Sequence, residues 1–248
     1  MFERLVLAAA IGVALLPVVA SAEPTPAPAA TPAAAATPAG PLRSLVYAVD
    51  VGIRTSNESM NLQGSATFGA GTTAKGTIQA DVIGLAPGNT LVFRVSEVSD
   101  TRKAPPVTVG VLDLGQIRSS PKDAPNLNQE ELELLGMLGR GVVADHDLGP
   151  GVTWKVEGAD TKNPDVTTYT VESLVGDDKV NITFDRTVKV TTAAQPFDVH
   201  STGKMLYDFK RSVPLSASVL QRVHEEGEKT ATTDLSFEYK LVSDSMAK

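Results

Sequence analysis

His146, His200 and His224 are the first residues to ask for chemistry, because imidazole titrates near neutrality and ligates metals. None sits in a ligand-spaced pair such as His-x-x-x-His, so spacing shows neither a zinc site nor a relay. His146 lies in Asp145-His146-Asp147, a set that suits a cation but that ordinary loop acidity explains as well. His224 opens the run His-Glu-Glu-Gly, which reads as a hairpin turn. No nucleophile elbow, phosphate-cradling glycine loop or dinucleotide fingerprint occurs, and Gly69-Ala70-Gly71 lies between strand-like runs, where a turn is expected. Asp177-Asp178 and Glu225-Glu226 fall at turns, whereas acid/base work needs carboxylates in shaped, partly desolvated settings. The chain has no cysteine, which removes thiolate nucleophiles, thiolate metal sites and disulfides. The reading is therefore non-enzymatic, with no catalytic residue, metal or cofactor. A hydrolase whose site is assembled across strands, joining one histidine to a serine or carboxylate, is the minor alternative.

If polar chemistry is sparse, apolar surface is where function would reside, and LNQEELELLGMLGRG (residues 127 to 141) carries most of it in one element. Asn128 can cap a helix there, Glu131 completes a capping box, and Leu127 can staple onto Leu132. Glu130, Glu131 and Glu133 complement the positive end of the dipole, and Gly139 and Gly141 supply a stop. At about 100° per residue, Leu132, Leu135 and Leu138 form one stripe with Leu134 and Met137 beside it, an apolar arc of roughly 220°. Packing flat on a sheet needs only about 100°. The surplus leaves three readings: a plug touching strands on both flanks, a cover whose Leu134, Met137 and Leu138 face a hydrophobic ligand, or a partner surface.

The rest of the chain must supply what this helix covers. Period-two alternation dominates: Leu45, Tyr47, Val49, Val51 and Ile53; Met60, Leu62, Ala66 and Phe68; Ile78, Ala80 and Val82; Leu91, Phe93 and Val95; Val107, Val109 and Val111. After the helix come Thr167 to Val175, a Gly176-Asp177-Asp178 turn, then Val180, Ile182, Phe184, Val188 and Val190. Met205 to Phe209, Val213 to Val223 and Leu235 to Leu241 complete the series. Trp154 follows a turn at Leu148-Gly149-Pro150-Gly151 and reads as a core anchor on a strand. Strands with one apolar and one polar face indicate antiparallel sheet with a single buried side. Pro214 marks an edge strand or a bulge. The fold expected is mainly β: one large curved antiparallel sheet of ten or eleven strands, a half-barrel or incompletely closed barrel, with one central helix.

Met-Phe-Glu-Arg, an apolar run from Leu5 to Val19 and Ala20-Ser21-Ala22 read as a signal peptide cleaved after Ala22, with an uncleaved anchor as the alternative. Residues 23 to 41 hold six prolines and no apolar residue larger than alanine, so 23–43 is expected to be a disordered Ala/Pro-rich linker. Residues 44–248 then form a single antiparallel β domain with its helix near 128–139. The expectation is a periplasmic or secreted protein of the bacterial envelope. A net charge of −7 without a basic block argues against nucleic acid.

This strand series, interrupted midway by LNQEELELLGMLGRG, resembles the periplasmic lipoprotein-carrier superfamily, in pattern and not in diagnostic residues. The resemblance would span residues 44 to 243, and the Gly203 to Leu215 segment also resembles a hairpin region of uncharacterised exported bacterial β-proteins. In that superfamily the sheet curls round a hydrophobic cavity that helices cover and that receives acyl chains. The resemblance implies a lipid or other hydrophobic ligand in an apolar groove between sheet and helix. The alternative from another class is a structural or interaction module that binds an envelope protein partner.

Overall fold

Eleven strands form in the computed structural model, which describes residues 40–61, 64–88, 90–99, 105–111, 117–118, 127–138, 143, 147–158, 164–190, 197–225 and 231–246. Five strands precede the helix: β1 (Arg43–Asn61), β2 (Gly64–Ala86), β3 (Thr90–Ser99), β4 (Val107–Val111) and β5 (Ile117–Arg118). The helix α1 (Gln129–Met137) is followed by β6 (Thr153–Glu157), β7 (Asp165–Val175), β8 (Lys179–Val190), β9 (Phe197–Asp208), β10 (Val213–Glu225) and β11 (Ala231–Asp244). All belong to one antiparallel sheet ordered β5-β4-β3-β2-β1-β11-β10-β9-β8-β7-β6.

That order is a meander cut once. Each strand pairs with its neighbour in sequence, and the terminal strands β1 and β11 pair with each other from Leu45↔Asp244 to Asn57↔Ala231. The single interruption falls between β5 and β6, the two sheet edges, and the connection that spans it carries α1. The sheet is unclosed among the described residues, as expected of a half-barrel or incompletely closed barrel.

Alternation sends one residue in two inwards. Leu45, Tyr47 and Val49 of β1 join Ile78 and Ala80 of β2, Phe93 and Val95 of β3 and Val109 and Val111 of β4 in the core. From the other half come Trp154, Tyr169, Ile182, Phe184, Met205, Tyr207, Val219, Phe237 and Tyr239. Trp154 stacks on Tyr169 at 5.5 Å between ring centres, and Phe184 lies 6.2 Å beyond. Its cross-strand partner is Gly203, where an added Cβ would collide with the Phe184 ring and stand 2.8 Å from the Ser218 carbonyl oxygen. Glycine there makes room for the aromatic row.

One local expectation changes, and the alternatives at Pro214 resolve to one. The runs near Met60–Phe68 and Ile78–Val82 are not two strands: β2 runs unbroken from Gly64, and Gly69-Ala70-Gly71 pairs with Ser56, Thr55 and Arg54 instead of turning. The uninterrupted ladder with β1 supplies backbone hydrogen bonds that outweigh the weak strand preference of glycine. The side chains of Met60, Leu62 and Phe68 lie outside the described residues. Pro214 is a bulge, with a register shift before Ser216, in a strand paired on both sides. Its freed carbonyl oxygen accepts a 2.9 Å hydrogen bond from the buried Tyr47 hydroxyl.

Candidate functional site

The inner face is largely apolar, broken by the buried Glu97 of β3 and by one polar cross-strand row. Gln221 of β10 faces Ser201 of β9, Ser201 faces Arg186 of β8, and Arg186 faces Thr167 of β7. These positions continue the inward alternation of Val219, Gly203, Phe184 and Tyr169, so four polar side chains point where the pattern calls for apolar ones. Burial without partners would cost each of them about 1–3 kcal/mol.

The helix supplies the partner. Glu133, 5% exposed, places its Oε1 2.9 Å from the Gln221 amide nitrogen, 3.4 Å from the Arg186 guanidinium and 3.5 Å from the Ser201 hydroxyl, all three donating. Arg186 is held more firmly elsewhere, donating two hydrogen bonds to Asp165 at 2.9 and 2.8 Å. Burial raises the Glu133 carboxyl above its ordinary range, and the nearby Arg186 charge only partly offsets it. Burial likewise pushes Tyr169 up to about 12, so its phenol stays neutral beside this pair. Arg186 is raised as well: burial alone would lower it, but its bonds to Asp165 and the Glu133 charge raise it. The Gln221 amide oxygen is buried with no hydrogen-bond partner among the described residues.

The start of α1 is fastened to the other half of the sheet. The Asn128 backbone amide donates to the Glu131 carboxylate at 2.8 Å, the N-terminal contact anticipated from the spacing. The Asn128 side chain donates to buried Glu97 of β3 at 2.6 Å, and the Tyr239 hydroxyl of β11 donates to the Glu130 carbonyl oxygen at 2.8 Å. Across one helix, β3 is thus linked to β8, β9, β10 and β11.

Leu134, Met137 and Leu138, the residues expected to face a ligand, are 0%, 4% and 3% exposed and belong to the core with Leu135. Leu134, Leu135, Met137 and Leu138 of the expected apolar arc face inwards, but the buried face is shifted at its start. Leu132 is only half-buried, while Glu131 and Glu133, expected to serve the dipole at the surface, are buried with the leucines. The physical reason at Glu133 is the polar row: its carboxylate accepts from Gln221, Ser201 and Arg186, and a leucine there would strand Gln221 and Ser201. The signal was present in the strands, since Arg186 interrupts Val180-Ile182-Phe184…Val188, and Gln221 interrupts Ala217-Val219…Val223, at matching register.

Of the three histidines, His200 Nε2 lies 3.0 Å from Asp185 Oδ2 on the solvent face, with both side chains at least half exposed. His146 and the side chain of His224 lie outside the described residues. Among the described residues no three metal-ligating side chains cluster. Among the described residues, one concavity is lined by Glu172, Lys204, Leu206 and Glu238 and another by Arg211, Leu215 and Val242, and neither of these includes a residue of α1.

No family model matches the chain, and no curated protein matches it. It is similar to a solved lipovitellin chain, from a structure concerned with lipid–protein interactions, at 11% identity and a TM-score of 0.48. The match covers 84% of this chain, which spans 26% of the lipovitellin chain. At that similarity it identifies neither family nor ligand.

Proposed function

We propose that the chain is a non-enzymatic protein, exported to the periplasm or beyond, that binds a lipid or other hydrophobic ligand between the inner face of the sheet and α1. One observation carries this reading. The buried face of α1 is itself amphiphilic, a carboxylate at Glu133 followed by Leu134, Leu135, Met137 and Leu138, and it rests on a sheet face graded in the same way. In this reading the helix occupies the site in place of an amphiphile. A ligand with a polar head and an acyl tail would take the head to Gln221, Ser201 and Arg186 and the tail to the surface the helix vacates.

The exchange is energetically feasible. Re-exposing four apolar side chains costs about 2 kcal/mol each, whereas each buried methylene contributes about 0.8 kcal/mol, so a tail of roughly ten methylenes offsets the loss. The unpartnered Gln221 oxygen would gain a donor from a hydroxylated or protonated head. Protein purified from its own host is to be examined by native mass spectrometry and its organic extract by lipid analysis. This reading expects a stoichiometric amphiphile. A ligand-free mass together with a stoichiometric protein partner would favour the interaction module instead.

A further inference from the structure

Strand register brings several otherwise distant segments to one end of the sheet. The chain enters there, where the Leu42 amide donates to the Val82 carbonyl oxygen at 2.8 Å, and leaves there, where the Ser245 amide donates to the Ser44 carbonyl oxygen at 2.9 Å. The β2–β3, β7–β8 and β9–β10 turns lie at the same end, with Ala86↔Thr90, Val175↔Lys179 and Asp208↔Val213 as their closing pairs.

Ten large apolar side chains are exposed among the described residues, and seven of them lie at this end. Leu42, Ile83 and Leu85 stand on the β1–β2 side, Leu85 at 66% exposure. Val242 and Met246 stand at 64% and 63% beside the chain terminus, and Leu174 and Val175 flank the β7–β8 turn. Scattered single exposures are normal, but a concentration at one end marks a surface that leaves water.

Most charges at this end pair with one another, and the exposed Asp177 and Lys210 in its turns add one charge of each sign. Arg43 donates two hydrogen bonds to Asp244, Arg211 binds Asp208, Lys179 lies 3.3 Å from Asp178, and Arg94 binds Asp81. A surface that is apolar and internally neutralised does not select an acidic or basic partner. Its chemistry suits the interface of a lipid bilayer, where apolar side chains enter the acyl boundary and paired charges remain among the headgroups. We propose that this end of the sheet is a membrane-docking surface that seats the protein on a lipid bilayer.

The absence of cysteine allows single labels to be placed without background. In the full chain, Leu85→Cys, Leu174→Cys and Val242→Cys would each carry an environment-sensitive fluorophore, with Lys155→Cys and Ser236→Cys as controls on a sheet edge and on the outer face. On addition of phosphatidylcholine vesicles, the three end labels are expected to shift to the blue and to be quenched by a nitroxide carried on the acyl chain, while the controls stay unchanged. Equal responses at all five positions, no response, or a response confined to anionic vesicles would overturn the proposal. The labels report bilayer contact whether or not a ligand sits under α1, so their failure leaves the α1 reading standing.

Discussion

Replacing Glu133 by glutamine removes one charge and almost nothing else. In the native chain its carboxylate accepts from Gln221 at 2.9 Å but stands 3.4 Å from Arg186, which already has a two-bond partner in Asp165. The charge therefore suffers desolvation without being Arg186's main counter-ion. An amide in its place keeps an acceptor for Gln221 and brings a donor for the stranded Gln221 oxygen. Glu133→Gln is expected to leave stability at pH 7 unchanged or to raise it by about 1–2 kcal/mol. Glu133→Ala, which strands buried donors and leaves a cavity, is expected to cost about 2–4 kcal/mol.

The pH dependence gives the same reasoning a second reading. Because folding raises the Glu133 pKa above its ordinary value of 4.5, the folded state binds the extra proton. Its contribution is fully present below that ordinary value and is lost as pH rises through the folded one. Urea unfolding of wild type and Glu133→Gln, measured from pH 4 to pH 8, should show wild type gaining on the variant as pH falls. A glutamine variant as unstable as the alanine variant at pH 7, or a difference of the opposite slope, would refute the reasoning.

Other consequences are as direct. Asp244→Asn should cost about 2–4 kcal/mol by chemical denaturation, because Asp244 is 1% exposed at the side chain and accepts from both Arg43 and Arg211. Hydrogen bonding from Arg43 holds the Asp244 carboxyl below its ordinary value, and Asp208 is also lowered because its bonds to Arg211 outweigh burial. Both contribute stability above the ordinary value of 3.8 that is lost as pH falls through the folded values, so acid unfolding should be shallower in Asp244→Asn. Gly203→Ala should destabilise by about 1–3 kcal/mol, since the new methyl meets the Phe184 ring, and Phe184→Leu in the same chain should recover part of the loss. Trp154, the sole tryptophan, is 8% exposed and stacked on Tyr169, so its emission should be blue-shifted and poorly quenched by acrylamide in the native state.

Much of this architecture is legible in the sequence because a two-residue period has only one way to bury its apolar half. Val180, Ile182 and Phe184 face inwards for the same reason that Lys179, Asn181 and Thr183 do not. The capping contact of Asn128 and Glu131 was equally legible, since it depends on residues three apart. What local spacing could not show was the junction of Glu133 with Arg186, Ser201 and Gln221, which are separated by 53, 68 and 88 positions and meet only through strand register. Taken alone, Glu133 reads as dipole complement, Arg186 as a polar interruption and Gln221 as noise. Read in register, they form one row. The merging of two expected strands into β2 has the same origin, because a ladder with β1 is a property of the pair and not of Gly69 or Gly71.

The central claim is that α1 and an amphiphile compete for one surface. Glu97 and Asn128, whose side chains meet at 2.6 Å, offer a place to lock the helix in a cysteine-free chain. Glu97→Cys with Asn128→Cys, joined by a short reducible crosslinker, would be titrated with a fluorescent long-chain fatty acid before and after reduction. The account predicts saturable binding in the reduced protein and its loss in the locked one. Equal binding in both states, or none in either, would contradict it.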